Sequence, residues 1–260
     1  VSTLADLVLS RAALFMLVLT RIVGFVATSP FPGANVSNTQ KVTLVGALSW
    51  IACSFASSEV APRAIDGHLV VSAIVELGCG ILIGLAFRFV LSAADVLGQT
   101  VSHSVGLSTA AVLNPSLETQ DSALSRIITL FAMLVALGAG AHRVAISYLL
   151  ESFRAMPVGT NLDFAAPVSV FVDLAGSAVA VGVRLAMPAI AIGLVVQIAL
   201  ALVARAAPSL QIFSIGFAVL VAAGLAAIAA SLDRMIGGLL DHLHELGDIL
   251  DAILGLAHGR

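Results

Sequence analysis

Metal-ligand residue types stand closest together near the end of the chain, where Asp241, His244, Glu245 and Asp248 fall at i, i+3, i+4 and i+7. On a helix that spacing gathers them on one face, and carboxylates with an imidazole are donors for divalent ions. The same pattern is more often the solvated stripe of an amphipathic helix, which is the reading adopted. His142 beside Arg143 is the other candidate for proton transfer. A lone His next to an Arg is more often a paired interface group than a catalyst. Cys53 and Cys79 lie in separate apolar runs, which suits small core hydrophobes better than a metal pair or a disulfide. No GxxxxGK[ST] phosphate loop, HExxH, CxxC or GxSxG elbow occurs. An enzyme is therefore disfavoured, and neither a cofactor nor a metal is expected.

The remaining chemistry-bearing residues are charges set inside apolar segments: Arg11, Arg21, Glu76, Arg88, Asp173 and Arg184. A charge at a bilayer centre costs about 2.5–3.5 kcal/mol on insertion scales. Snorkelling to the interface suits Arg11 better than Arg21, which points to a helix packed against protein. Arg88 and Asp95 are seven apart and Asp173 and Arg184 eleven apart, each pair on one face of a continuous helix.

Such charges need elements that can hold them, and composition says which. Of 260 residues, 60% are hydrophobic and 10% charged, with a mean hydropathy of +1.10. Soluble domains are about 45–50% apolar and about 25% charged, so the chain is membrane-inserted or membrane-assembled, in contact with lipid. A net charge of −3, one lysine (Lys41) and few aromatic residues leave no basic patch and no stacking platform, and nucleic acid is not an expected partner. No cleavable signal is expected, because the first apolar run is long and holds Arg11 and Arg21.

The order of segments predicts an all-α, multi-helix membrane protein. Leu7 to Thr28 is long enough to span, and Ser29-Pro-Phe-Pro-Gly33 stops it. Val42 to Phe55 is short, nearer a buried helix than a span. Leu69 to Ala94 carries Gly80 and Gly84, a small-xxx-small pair that lets a neighbouring helix approach. Ile127 to Leu150 is interrupted around Gly138 to Gly140, and Met156-Pro-Val-Gly159 ends it. Val168 to Ala204 is too long for one crossing, and Pro188 is the expected bend. Arg205-Ala-Ala-Pro-Ser209 reads as a tight elbow before Ile212 to Leu232. We expect residues 1–232 to form the hydrophobic body and 233–260 an amphipathic, acidic helix fit for docking to protein.

Between the third and fourth apolar runs, residues 98–126 turn small and hydroxyl-rich, with Asn114-Pro115 bending the chain. Such a stretch is either a plain polar loop or a re-entrant, pore-facing one.

Four blocks resemble the FliR/SctT family, the R-type (T-type in injectisomes) export-gate subunit of bacterial flagellar and type III secretion. The most specific is Arg205-Ala-Ala-Pro-Ser-Leu-Gln-Ile-Phe-Ser-Ile-Gly-Phe217, similar to R-x-A-P-Q-hydrophobic-x-x-F-x-x-G-F. It contains Arg205, Pro208, Phe213, Gly216 and Phe217. Gly140-Ala-His-Arg143, running on to Glu151-Ser-Phe-Arg-Ala-Met-Pro-Val-Gly159, resembles the family's G-H helix and following turn. Gly106-Leu-Ser108, Asn114-Pro115 and Leu124-Ser-Arg126 resemble its G-L-S-F…D-P…L-x-R loop, with Thr109 and Asn114 replacing the usual phenylalanine and aspartate. Ser29-Pro30, after an arginine-bearing first helix, resembles its first turn, although that loop is less basic here.

The resemblance implies bent helical hairpins in a hetero-oligomeric gate in the bacterial inner (cytoplasmic) membrane, at the base of the flagellar or secretion apparatus. It leans towards the flagellar system. Partners would be P-type and Q-type subunits, the B-type specificity-switch protein and exported unfolded substrates. Gly106, Leu107, Ser108, Thr109, Val112, Leu113, Asn114 and Pro115 would plug the channel. Arg21, Glu76, Arg88, Asp173 and Arg184 would make polar contacts between helices, and the Arg205–Phe217 elbow would be structural. A small-solute secondary transporter with broken helices is the alternative; it predicts inverted repeats, and the two halves show none.

Overall fold

Leucine, alanine and valine dominate the long runs, and with most prolines lying between them the backbone closes its own hydrogen bonds as helix. The computed structural model describes residues 4–31, 36–54, 69–105, 123–159, 165–206 and 212–254. Among them every regular element is an α-helix. These are α1 (Leu4–Thr28), α2 (Asn38–Ala52), α3 (Leu69–Ser104), α4 (Ala123–Gly138), α5 (Ala141–Ala155), α6 (Ala165–Ala206) and α7 (Ile212–Leu254). The protein is thus an all-α membrane protein. Four stretches are long and apolar enough to cross a bilayer: Val8–Thr28, Leu69–Ser104, Ser169–Ala206 and Ala218–Asp251.

Helical spacing sets the buried faces. In α4 the inward positions are Leu124, Ser125, Ile128, Ala132 and Ala136, and in α5 Ala141, Ala145, Leu149, Ser152 and Phe153. The break between these helices is local. Gly140 takes φ 83°, a left-handed conformation that glycine adopts at least cost. Pro157 disfavours helix at Met156, whose φ/ψ of −126°/90° ends α5.

The described chain divides into two compact units. The first takes residues 1–90, 140–174 and 244–260. Its α1 and α3 cross closely enough that a Cβ on Gly80 would strike the Arg21 carbonyl and one on Gly24 the Leu77 carbonyl. The Gly80/Gly84 pair seen in the sequence is the surface of this crossing. The second takes residues 91–139 and 175–243, around a core that includes Leu97, Val101, Val105, Leu124, Ile128 and Met235.

Two sequence expectations change. Helix α6 passes through Pro188 uninterrupted, 42 residues in all. A proline ring costs one backbone donor, and a long apolar helix tolerates that without breaking. Helix α2 is not a buried helix: Val42 and Trp50 are 71% and 78% exposed, and only Leu48, Ser49 and Ala52 are buried. Helix α7 runs unbroken across residues 232 and 233.

Candidate functional site

Charge placed inside apolar helices must be paired, hydrated or covered, and the structure separates the charges on that basis. Arg21 on α1 and Glu76 on α3 are both buried, with side chains 1% exposed, and Arg21 Nε donates to Glu76 Oε2 at 2.6 Å. The guanidinium goes on to the C-terminal end of α5. Its Nη1 donates to the Ser152 carbonyl at 3.0 Å and to Ser152 Oγ at 3.2 Å, and its Nη2 to the Met156 carbonyl at 3.0 Å. Those carbonyls lie at the C-terminal end of a helix, where the helix dipole favours a cation; the Ser152 carbonyl also accepts the Met156 N–H at 2.9 Å. The Phe153 ring lies 4.4 Å from the guanidinium carbon, adding a cation–π contact.

Glu76 closes the other side. Its Oε1 accepts the Gly159 backbone N–H at 2.9 Å, and Gly159 has φ 85°. One ion pair therefore ties α1, α3, the end of α5 and the turn after it, with both carboxylate oxygens and the planar face of the arginine engaged. This is a clasp between elements of the first unit.

Elsewhere the in-helix charges face outward. Arg88 on α3, and Asp173 and Arg184 on α6, are exposed and make no ion pair among the described residues. They stand among exposed apolar side chains, including Val172, Val179 and Met187 on α6. Asp95, on the face expected to carry Arg88, accepts a hydrogen bond from Thr129 Oγ1 at 2.6 Å. Among the described residues no group of three or more His, Cys, Asp or Glu is placed to hold a metal ion. His142 Nδ1 is buried without a hydrogen-bond partner among the described residues, and Arg143 is exposed.

Comparison with known proteins matches the sequence to a family. The family model for bacterial export proteins, family 1, fits residues 12–246. The flagellar biosynthetic protein FliR of Aquifex aeolicus is 30% identical over 251 residues, 95% of this chain and 96% of that protein. FliR of Escherichia coli is 30% identical over 70% of each chain, and FliR of Bacillus subtilis 27% identical over 78% of this chain and 79% of its own length. The chain belongs to the FliR family of bacterial export proteins. It is a membrane-embedded component of protein export.

The other residues singled out in the sequence fall unevenly. Gly106, Leu107, Ser108, Thr109, Val112, Leu113, Asn114 and Pro115 lie outside the described residues, as does Pro208. Arg205 is exposed in the last turn of α6. Gly216 is buried in α7, where a Cβ would come within 3.3 Å of Leu200 on α6. The side chains of Phe213 and Phe217 are also outside the described set.

Sequence reasoning missed Ser152, Phe153, the Met156 carbonyl and the Gly159 N–H as the seat of Arg21. The Glu151-to-Gly159 block was legible as a turn. Its partner was not, because it lies 131 residues from Ser152 in the chain.

Proposed function

We propose that this chain is a channel-forming subunit of the flagellar type III export gate in the bacterial inner membrane. It assembles with P-type and Q-type subunits and the B-type switch protein, around the path of unfolded substrates. The observation that carries this reading is the outward set Arg88, Asp173 and Arg184. Charges on exposed faces of long apolar helices are too costly to leave against lipid, so partner helices or a water-filled path must meet them. Helix length supports it too. At 1.5 Å per residue α6 is about 60 Å long, twice the hydrocarbon thickness of about 30 Å. Much of such a helix stands outside a bilayer unless other protein surrounds it.

Within that gate, Gly106 to Pro115 is proposed as the plug. It has no charge and is mostly small, so it can occupy a narrow bore and rearrange around a passing chain. Leu107, Val112 and Leu113 are its bulky apolar members, and hydrophobic constrictions close by dewetting. With Thr109 where the family carries phenylalanine, the aliphatic side chains make the seal.

Two measurements test the proposal. Tagged chain co-expressed with the P- and Q-type subunits should purify in mild detergent as one complex, whereas the chain expressed alone should aggregate or be degraded. A stable, monodisperse monomer from lone expression would count against assembly as its working state. Deleting Leu107 to Leu113 should leave the complex assembled and raise leakage of small solutes across the inner membrane. Normal assembly without added leakage would remove the plug.

A further inference from the structure

Helix α3 contributes residues 91–104 to the second unit. Three of these are exposed, and all three are polar: Asp95, Gln99 and His103. They follow one another at intervals of four, so they climb one face of the helix at about 6 Å a step, over about 12 Å. The other helices of the unit turn mainly apolar side chains outward, among them Leu130 and Leu134 on α4, Leu194 and Ile198 on α6 and Leu225 on α7. The strip is therefore a local exception, and it lies in a helix apolar enough to cross a bilayer. It is also tied to its neighbour: Thr129 Oγ1 on α4 donates to Asp95 Oδ1 at 2.6 Å.

Three surroundings could meet such a strip: lipid, a packed partner helix or water. Lipid tails offer no hydrogen bond to a carboxylate, an amide and an imidazole in a row. A packed partner would take an apolar centre with a polar rim, and the exposed positions of the strip hold no aliphatic or aromatic anchor. Water satisfies all three side chains. We infer that Asp95, Gln99 and His103 form a hydrated wall of the export path, the face of α3 along which an unfolded polypeptide passes. The inference rests on the channel reading above and adds which face of the chain borders the path. The residue types suit that task. They offer donors and acceptors that water occupies between substrates, and no apolar pocket that would hold one sequence over another.

The test uses the full chain in cells that carry the rest of the export apparatus, in a Cys53→Ser, Cys79→Ala background. Gln99→Cys and His103→Cys probe the strip, and Leu130→Cys and Leu134→Cys on α4 are the references. Opened membranes are treated with a charged, hydrophilic maleimide, and the complex is then purified with its P- and Q-type subunits. The strip positions should label at least about tenfold faster than the references, because maleimide takes the thiolate and apolar surroundings suppress it. A substrate stalled in the path by a fused domain that does not unfold should slow labelling at the strip and leave the references unchanged. Complex that assembles but labels at the strip no faster than at the references overturns the wall and leaves the channel reading standing. Fast labelling that a stalled substrate does not slow puts the strip on water outside the path and overturns the wall too. A chain that does not co-purify with the P- and Q-type subunits takes both readings down. Gln99→Leu combined with His103→Leu gives an independent measure. It should leave the amount of complex unchanged and lower export per complex, since an apolar wall dewets a narrow path. Undiminished export would overturn the wall. The two cysteine positions are read separately, so if one variant fails to assemble the other decides.

Discussion

Arg21 and Arg184 both interrupt apolar helices, and in the sequence they look alike. In the structure they are opposites. Arg21 spends its donors on Glu76, Ser152 and Met156 inside one unit of the fold, whereas Arg184 stands exposed without an ion pair among the described residues. The first kind of charge belongs to the chain's own architecture. The second, on the function proposed above, is met by a partner or a water-filled path. The clasp should therefore control whether the chain folds, and the outward charges what it folds against.

The largest effect is expected at the clasp. Arg21→Leu leaves Glu76 buried without its counter-charge, and removing one partner of a buried pair costs about 3–5 kcal/mol. Set against a typical total stability of about 5–15 kcal/mol, that removes a large share of the margin. Chain abundance and the thermal melting of the detergent-solubilised complex would both report it. The double variant Arg21→Met with Glu76→Met should recover part of the loss, because two buried charges disappear together. Recovery stays partial: the Met156 carbonyl and the Gly159 N–H lose these partners, and the Ser152 carbonyl keeps only the Met156 N–H. A single variant as stable as the starting protein would show that Arg21 reaches solvent and is no clasp.

Gly159 sharpens the same side of the comparison with a smaller effect. Its φ of 85° is open to glycine, and a side chain there costs about 1–2 kcal/mol. Gly159→Ala should lower the melting midpoint by less than Arg21→Leu does. Gly159→Asn should cost less than alanine, because asparagine tolerates the left-handed region better. Equal costs for the two replacements would mean that the turn has relaxed out of that conformation.

How much of this was legible depends on range. The helices were, because each is a local pattern: apolar runs, most prolines between them, and the glycine pair that α1 and α3 use to cross. The break at Gly140 was visible for the same reason. Continuity through Pro188 was not, since local rules score the missing donor but not a 42-residue helix that absorbs it. The exposure of α2 was missed because a short apolar run reads alike whether it faces a core or awaits a partner. Arg21 and Glu76 were picked out as polar residues between helices. Their pairing with each other was not, because that contact joins residues 55 positions apart. No spacing rule reaches so far.

The other side of the comparison predicts a small effect on the chain and a visible one on assembly. Asp173 and Arg184 are exposed on α6, and exposed substitutions away from special features usually change stability by no more than about 0.5 kcal/mol. Asp173→Leu and Arg184→Leu, made singly, should therefore leave the abundance and melting of the chain close to the starting protein, unlike any change at Arg21. If partner helices meet these charges, each variant should recover less P- and Q-type subunit per tagged chain, since the partner group opposite is left unpaired. A leucine on a face that lies against lipid would do the reverse: it removes a costly charge, and co-purification would hold or improve. Charge reversal separates the last possibility, a water-filled path. Arg184→Glu there should leave subunit recovery intact and change only the passage of charged solutes, whereas against a partner helix it should cost more recovery than Arg184→Leu, because repulsion is added to the lost contact.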